Sequence, residues 1–469
     1  MTASSPLDTL PPEYPGDLAA EVRAAVAASG RKLVALDDDP TGVQTVHDTA
    51  VLARWDAATL AEELRDPHPV CFVLTNSRSV PEADAIGLNG EIAVNLREAA
   101  RVIGVTFALA SRSDSTLRGH FPAETDALAD ALGGVDGTLL VPAFFEGGRY
   151  TIGDVHWVRE GDGLVPAAET EFARDATFGY RHSDLREWVE EKTGGRIPAA
   201  AVASISLEDV RVGGPDRVAE ILSGVDAGRP VVVNATSYRD LDVVVLGLLR
   251  AEAAGKRFLY RTGASFVRAR AGLAERPLLS RADLLNAASP SPLPGLVVVG
   301  SHVRRTAEQL TALLALPGVA QVELRVPRVV DSSTRLEEIE AARRAASVAL
   351  NRGVTPVVAT SRELFRAPDP LAQLETSRAV SSALVEVVSG VEGRPGWVVG
   401  KGGITSSDVG TVALGARRAV VLGQVRPGIP VWRLGPETRF PGLPYVVFPG
   451  NVGTPDTLAE VVALLRGDA

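Results

Sequence analysis

The sequence has a single cysteine, Cys71, among its 469 residues, and this scarcity rules out a disulfide bond within the chain. Cys71 lies in an apolar run, so we predict that it is an ordinary core residue. The first thirty residues lack the apolar stretch of an export signal, and no run of about 18 apolar residues occurs. We therefore predict a cytoplasmic protein with no membrane partner.

Aromatic residues make up only 5% of the chain, and the formal net charge is -10. No segment combines clustered Lys and Arg with aromatic residues, so nucleic acid is not expected as a partner. The six histidines show no metal-ligand spacing, which predicts no zinc site and no other metal held by the protein itself. The Walker pattern and the dinucleotide pattern G-x-G-x-x-G are also missing, which disfavours the common nucleotide-binding folds.

What the chain does contain is an alternation of helical periodicity with short runs rich in Val, Leu and Ile. Continuous apolar runs are typical of strands buried on both faces, and hence of mostly parallel sheets covered by helices. Glu82 to Ile103 is the longest of the predicted helices. The proline-rich segment from Ala287 to Gly295 predicts a boundary between two α/β domains, residues 1–286 and 295–469.

Charged and hydroxyl residues follow several apolar runs of the first domain. Leu33 to Gly42 reads LVALDDDPTG, and similar runs lead into TNSR, SRSDSTLRG and PAFFEGGR. Because the carboxyl ends of strands form the ligand-binding edge of an open α/β sheet, we expect one crevice lined by Asp and Arg. Such a crevice suits a small, anionic and hydroxylated ligand.

The basic and hydroxyl residues of this crevice can be assigned tasks. A guanidinium group matches a planar carboxylate, so Arg78, Arg112 and Arg118 are candidates for binding one. Ser113 and Ser115 could form hydrogen bonds with sugar hydroxyl groups.

The acidic residues are harder to assign. Asp114 serves either the ligand or the orientation of Arg112 or Arg118. Asp37, Asp38 and Asp39 cannot all act alike, because neighbouring loop residues point in different directions. One of the three is expected to be a helix cap or a turn residue.

Glycine-rich loops follow three strands of the second domain, at Gly300-Ser301, Lys401 to Ser406 and Gly450 to Gly453. Paired glycines let backbone amides approach a phosphate, and Thr405 or Ser406 could cap the following helix. Together the loops indicate an ATP site, although each loop alone is also consistent with a tight turn. Lys401 is either part of this site or a surface lysine.

These motifs resemble those of the four-carbon acid sugar kinases, which phosphorylate tetronates with ATP. LDDDPTG resembles the family's A-D-D-L-T-G loop, with Asp38 and Asp39 in its acidic positions. RSDSTLRG resembles its K-x-D-S-T-L-R-G stretch, and TNSR, PAFFEGGRYT and the three glycine loops resemble further family motifs in order and spacing. The resemblance runs from about Lys32 to Gly453.

The resemblance implies phosphoryl transfer from ATP, with Mg²⁺, to O4 of threonate, erythronate or a 3-oxo-tetronate, in a cleft between the two domains. It implies that Asp38 is the base or orients the hydroxyl group, with Asp39 as a substitute or as a ligand of metal-bound water. The implied acid-sugar contacts are Asp38, Arg78, Arg112, Ser113, Asp114 and Ser115. The implied ATP contacts are Ser301, Gly402, Gly403, Ile404, Thr405 and Gly450.

Three residues depart from the family pattern: Pro40 replaces leucine, Arg112 replaces lysine and Ile404 replaces an acidic residue. These departures indicate a longer-chain branch that is associated with class II aldolases and hydroxyacid dehydrogenases, which are the expected pathway neighbours. A homodimer is left open. The motifs do not decide which acid sugar is the substrate.

Two other functions also remain open. Asp37-x-Asp39-x-Thr41 fits the D-x-D-x-T signature of aspartyl-phosphate phosphatases, in which the first aspartate is the nucleophile. That class needs a downstream lysine and an acidic pair, which the sequence does not place. The other alternative is a non-catalytic protein that binds an acid sugar in a two-domain cleft. Phosphate release without ATP would favour the phosphatase, and binding without nucleotide turnover would favour the binding protein.

Overall fold

The computed structural model describes residues 6–161, 163–285, 293–301, 303–361 and 370–468. The chain divides into two compact units, Met1–Glu275 and Arg276–Ala469, and each is described by itself. The predicted boundary lies largely outside the described residues, and the predicted cleft between the domains stays a prediction. Within the described residues, no helix is long and apolar enough to cross a membrane.

The first unit alternates strands and helices. Its strands are β1 (Lys32–Asp37), β2 (Thr49–Leu52), β3 (Val70–Leu74), β4 (Phe107–Arg112), β5 (Gly137–Val141), β6 (Arg149–Ile152), β7 (Val155–Glu160), β8 (Gly163–Pro166), β9 (Ala203–Ile205), β10 (Arg229–Val233) and β11 (Phe258–Thr262). Its helices are α1 (Ala19–Ser29), α2 (Ala57–Arg65), α3 (Glu82–Ile103), α4 (Ala123–Ala131), α5 (Leu185–Lys192), α6 (Gly214–Ser223), α7 (Tyr238–Ala253) and α8 (Ala264–Arg270).

The main sheet of this unit has the strand order β2-β3-β1-β4-β11-β5-β10-β9, and its neighbouring strands pair in parallel. Strands β6, β7 and β8 form a separate antiparallel sheet. The central strands are buried along their whole length, as in Val70–Leu74, because helices cover both faces. The mostly parallel α/β fold predicted from the apolar runs is confirmed.

The second unit is a smaller α/β fold. Its strands are β12 (Leu296–Val299), β13 (Val319–Leu324), β14 (Thr355–Thr360), β15 (Val398–Lys401), β16 (Arg418–Arg426), β17 (Ile429–Leu434) and β18 (Pro444–Phe448). Its helices are α9 (Arg281–Leu284), α10 (Arg304–Leu314), α11 (Val326–Val330), α12 (Arg335–Asn351), α13 (Pro370–Gly390), α14 (Gly403–Asp408) and α15 (Thr457–Arg466).

The strand order in this unit is β13-β14-β12-β15-β18-β17-β16. The strands from β13 to β18 in this order pair in parallel, whereas β17 pairs antiparallel with both β18 and β16. Trp397, Val399 and Phe448 are fully buried in a core against α10 and α15. This core fixes the ends of β12, β15 and β18, from which the glycine loops emerge.

Candidate active site

The sheet of the first unit has a topological switch point at β1. Strand β3 pairs with one side of β1, and the next strand along the chain, β4, pairs with the other side. Ligands bind at such a point, outside the carboxyl ends of the strands, because the chain leaves β1 and β4 in opposite directions and opens a crevice. Asp37 ends β1, Arg112 ends β4, and Arg78 lies in a short 3₁₀ turn after β3. The structure therefore brings these predicted site residues together.

Asp38 is the central acid of this crevice. It is 4% exposed, and its Oδ1 accepts a hydrogen bond of 3.1 Å from Nη2 of Arg78, with Nη1 of Arg112 4.0 Å away. Its Oδ2 is buried and has no hydrogen-bond partner in the described part of the chain. Burial raises the pKa of Asp38, and the neighbouring guanidinium groups oppose that rise. The free oxygen leaves Asp38 able to accept a proton or a hydrogen bond from a ligand.

Asp37 is buried more deeply and faces the interior. A side chain at Gly42 would overlap its carboxyl group, and Nη1 of Arg112 lies 3.3 Å from its Oδ1. Burial raises the pKa of Asp37 to about 8, although Arg112 opposes the rise. At 1% exposure, enclosed by Gly42 and Arg112, Asp37 is poorly placed to attack a phosphate ester, which disfavours the phosphatase alternative.

Asp39 is the turn residue of the three. Its Oδ1 accepts hydrogen bonds from the backbone N–H of Thr41 at 2.9 Å and from the Thr41 hydroxyl group at 2.5 Å. Its Oδ2 lies 3.2 Å from Nη2 of Arg78. The three aspartates thus differ in their surroundings, as the sequence predicted. Asp39 forms two hydrogen bonds with Thr41, whereas Oδ1 of Asp37 accepts one longer bond of 3.5 Å from the backbone N–H of Asp39.

The SRSDSTLRG loop places its acid between two arginines. Oδ2 of Asp114 accepts a 2.7 Å hydrogen bond from Nε of Arg118, and its Oδ1 lies 3.7 Å from Nη1 of Arg78. Burial alone would raise the pKa of Asp114, but these two guanidinium groups lower it well below its usual range. Of the two predicted uses for Asp114, the geometry favours the orientation of Arg118. Ser113 is fully buried, and its hydroxyl group has no partner among the described residues.

A buried histidine supports the same loop from behind. Nε2 of His156 lies 2.7 Å from the backbone oxygen of Ser115, and its Nδ1 lies 3.1 Å from the hydroxyl group of Thr151. A carbonyl oxygen can only accept, so the imidazole carries its proton on Nε2. Burial lowers the pKa of His156 to about 4. The neutral ring therefore holds Ser115 in place over the ordinary pH range.

Sequence reasoning missed Arg261, which lies near the end of β11 beside β4. It is 6% exposed, and its Nη2 donates a 3.2 Å hydrogen bond to the backbone oxygen of Arg118. Gly119, with φ +122°, packs between Arg261 and Asp38. The run LYRTG that ends at Gly263 has the same pattern as TNSR and SRSDSTLRG, in which polar residues follow an apolar strand. This pattern could have identified Arg261 as a candidate site residue.

In the second unit the ends of β12, β15 and β18 converge. The backbone N–H of Gly402 donates a 2.8 Å hydrogen bond to the oxygen of Phe448. A Cβ atom at Gly402, where φ is +113°, would lie 3.0 Å from the Cβ of Ser301. A Cβ atom at Gly450 would lie 3.0 Å from the Oγ of the same serine. A side chain at Gly300 would overlap the hydroxyl group of Thr405. The predicted loops therefore form one cluster, in which glycine makes room for the backbone.

The two glycines of the Lys401–Ser406 loop differ in conformation. Gly402 adopts a backbone conformation that L residues rarely adopt, whereas Gly403 begins α14, which is six residues long. The backbone freedom is therefore needed at Gly402. Ile404 follows with its side chain 60% exposed.

Lys401 is fully buried, which excludes its interpretation as a surface lysine. Its Nζ donates hydrogen bonds to the backbone oxygens of Pro449 at 2.5 Å and Gly450 at 3.1 Å, and it lies 4.1 Å from the ring centre of Phe448. Burial lowers the pKa of Lys401 to about 7. Lys401 thus supports one glycine loop from below. Across the described residues, no group of three or more His, Cys, Asp and Glu could hold a metal ion.

Each unit of the chain matches the model of a different domain. Residues 33–270 match the model of a sugar-binding N-terminal domain, and residues 296–458 match that of a nucleotide-binding C-terminal domain. A curated relative, D-erythronate kinase from Heliobacterium modesticaldum (strain ATCC 51547 / Ice1), is 27% identical over 325 residues. That match covers 66% of this chain and 66% of the relative, just under two thirds of its length.

Solved structures share the fold. A Haemophilus influenzae protein has a TM-score of 0.61 at 20% identity, with 92% of this chain and 100% of that chain covered. A Salmonella typhimurium LT2 protein described as a tRNA synthase has a TM-score of 0.64 at 19% identity, with 91% and 98% covered. These likenesses concern the fold alone. With both domain models matched in order along the chain, this protein belongs to the four-carbon acid sugar kinase family.

Proposed function

We propose that this protein is an ATP-dependent kinase that phosphorylates a four-carbon acid sugar, such as erythronate, threonate or a 3-oxo-tetronate, at its terminal hydroxyl group O4. The observation that carries the proposal is Asp38, a buried acid with an unpartnered oxygen, among arginines at the switch point of the unit that matches a sugar-binding domain. The converging glycine loops of the unit that matches a nucleotide-binding domain support it.

The acid sugar is proposed to contact Asp38, Arg78 and the stretch from Arg112 to Ser115. Arg78 and Arg112 are held by internal carboxylates, but the Nε atom of each is buried and without a partner in the described structure. These N–H groups could donate to the carboxylate of the substrate, and such charged hydrogen bonds are the stronger kind. Buried donors also carry a cost that a bound anion would remove.

ATP is proposed to contact Ser301, Gly402, Gly403, Ile404, Thr405 and Gly450. Glycine at positions 402 and 450 lets the loops pack closely against Ser301, and closely packed glycine loops before a helix are typical of sites that bind phosphate groups. Mg²⁺ is expected to arrive with the phosphates of ATP, where it neutralises charge during transfer.

The reaction forms a bond between the substrate's O4 and the γ-phosphorus of ATP. The bond from that phosphorus to the β,γ-bridging oxygen breaks, and its electron pair leaves with ADP. Asp38 accepts the hydroxyl proton or orients the hydroxyl group for attack. Positioning and charge neutralisation carry most of the catalysis in such transfers.

A test is ADP formation by the purified protein with Mg²⁺ and ATP, measured against D-erythronate, L-threonate and 3-oxo-tetronates. We expect turnover with at least one of these acids. The absence of turnover from the whole panel, with folded protein, would overturn the kinase. Phosphate release from phosphorylated tetronates without ATP would instead support the phosphatase. The homodimer, the pathway neighbours and the cytoplasmic location stay predictions.

A further inference from the structure

Three buried polar groups of the crevice face one small region beside Gly119. The position where a Cβ atom of residue 119 would lie is 3.2 Å from Oδ2 of Asp38, 3.3 Å from Nη2 of Arg261 and 3.7 Å from Oγ of Ser113. Among the described residues, the Asp38 and Ser113 oxygens have no hydrogen-bond partner, whereas Nη2 of Arg261 donates one hydrogen bond, to the backbone oxygen of Arg118. The three side chains come from different strand ends, yet they converge on the space that a glycine leaves open.

Buried polar groups without partners are rare, because each costs the free energy of its lost hydration. Two such oxygens beside the guanidinium group of Arg261 indicate that a ligand group completes them. That group must accept a hydrogen bond from Arg261 and donate one to Asp38. A hydroxyl group does both, whereas a carboxylate would face the carboxylate of Asp38 and be repelled.

We propose that Arg261 is a further catalytic residue of this protein and that it donates a hydrogen bond to the oxygen of the acceptor hydroxyl group. This inference rests on the proposed kinase function and deepens it. The hydroxyl proton passes to Oδ2 of Asp38 as the oxygen bonds to the γ-phosphorus, and the leaving electron pair goes to ADP. Arg261 stabilises the negative charge that develops on the oxygen while its proton leaves.

The charges around Arg261 distinguish it from the arginines that were predicted from the sequence. Arg78 and Arg112 each have a carboxylate oxygen within 3.3 Å, so their charges are already compensated. In the described residues, no carboxylate lies within ion-pair distance, 4.0 Å, of Arg261. The carboxylates of Asp38, Glu124 and Asp114 stabilise the charge of Arg261 from a greater distance, and its guanidinium group can still form a close contact with an oxygen that becomes negative during the reaction.

The test compares Arg261→Gln and Arg261→Lys with the wild type. We expect Arg261→Gln to lower kcat by ~10²–10³-fold, the scale for loss of one donor to a developing oxyanion, with little change in the KM for ATP. Arg261→Lys should retain part of the rate. The acidic limb of the pH–rate profile should move to higher pH in Arg261→Gln, because the lost cation no longer favours ionised Asp38.

The matched control is Arg257→Gln, at the residue just before the start of the same strand. Arg257 is exposed and donates to the backbone oxygens of Leu132 and Gly134. It should leave kcat and the pH profile unchanged. An Arg261→Gln variant with wild-type kcat, or one with a lower kcat and an unmoved profile, would overturn the assignment.

A binding measurement keeps the inference separate from the kinase function. Calorimetry with D-erythronate and with its 4-deoxy analogue, 2,3-dihydroxybutanoate, reports the contact to O4 without turnover. We expect the wild type to prefer D-erythronate by about tenfold, and Arg261→Gln to lose that preference. If this result is found but no acid is phosphorylated, the kinase function fails and the hydroxyl site stands. If turnover is found but the preference is equal in both proteins, the hydroxyl site fails alone.

Discussion

The crevice of the first unit and the loop cluster of the second each lie at the carboxyl ends of parallel strands of their own unit, but they are built differently. In the crevice, buried Asp38 and partly buried Arg78 neutralise one another, with their nearest charged atoms 3.1 Å apart. In the cluster, glycines such as Gly402 and Gly450 leave room for the backbone and for Ser301. The crevice should therefore be sensitive to charge, and the cluster to added atoms.

The largest effect is expected from Asp38→Asn. The amide removes the proton acceptor but keeps the shape of the side chain, so kcat should fall by ~10²–10⁴-fold, the scale of general base catalysis. ATP binding, measured by calorimetry, should not change. Asp39→Asn is the matched control, because Asp39 closes the turn with Thr41 and should cost less. A larger loss of kcat in Asp39→Asn would reverse the two assignments.

Gly402→Val should produce the next largest effect, and on the other substrate. The φ of +113° excludes β-branched residues, and the new Cβ would lie 3.0 Å from that of Ser301. ATP binding should weaken by up to ~3 kcal/mol, the upper range for a residue forced into a conformation reserved for glycine. Binding of the acid sugar without nucleotide should remain. Gly403→Ala, at the first position of α14, should bind ATP as the wild type does. Equal losses of ATP affinity in the two variants would mean that the conformation of Gly402 is not what ATP binding requires.

Arg78→Lys keeps the charge of the crevice but loses the planar fork. Acid-sugar binding should weaken by ~1.5 kcal/mol, the lower range for a charged hydrogen bond, because the ammonium group of lysine cannot form two parallel hydrogen bonds with one carboxylate. Separate titrations with acid sugar and ATP measure this, and ATP affinity should not change. A parallel loss for both ligands would mean that Arg78 serves the fold.

The smallest effect is expected from Lys401→Met, as a change in how the free energy of unfolding depends on pH. The pKa of Lys401 is about 7 in the folded chain, below its ordinary value of 10.5. As pH falls from 10.5 towards 7, the unfolded chain binds a proton that the folded chain does not, so the wild type loses stability. Methionine has no such loss.

The free-energy advantage of the wild type over Lys401→Met should thus shrink by about 1 kcal/mol or more between pH 9.5 and pH 7, since one pKa unit corresponds to about 1.4 kcal/mol. Urea unfolding of both proteins at the two pH values measures it. A constant difference would mean that Lys401 is charged while buried, held by Pro449, Gly450 and the ring of Phe448.

Local sequence patterns were enough to predict the helices and strands around the site, but not how these elements are arranged. The predicted helix from Glu82 to Ile103 is found with the same ends, because its periodicity and its following glycine act locally. The apolar run that leads into SRSDSTLRG, Phe107 to Ala110, predicts a strand, and this strand continues to Arg112 because Ser111 and Arg112 stay in the parallel ladder despite their polarity. The change from apolar to polar residues therefore predicted the end of this strand two residues too early.

The surroundings of Arg261 and of Lys401 could not be predicted from the sequence, although the run LYRTG marks Arg261 as lying near the end of a strand. Strand β11 comes about 150 residues after β4 yet pairs with it, and long-range strand order is set by packing that no local pattern reveals. Lys401 is buried because two carbonyl oxygens and an aromatic ring surround it, whereas lysine is almost always exposed. Partners that are distant in sequence decided both positions.

The hydrogen bond from His156 to the backbone of Ser115 has a spectroscopic consequence. Its Nε2 proton is fully enclosed, so it should exchange slowly with water and give a separate imidazole resonance far downfield in proton NMR spectra. Because Ser115 belongs to the substrate loop, a change in that loop on ligand binding would shift this signal. With only six histidines in the chain, the resonance can be assigned by one substitution. It would then report structural changes in the crevice without any attached label.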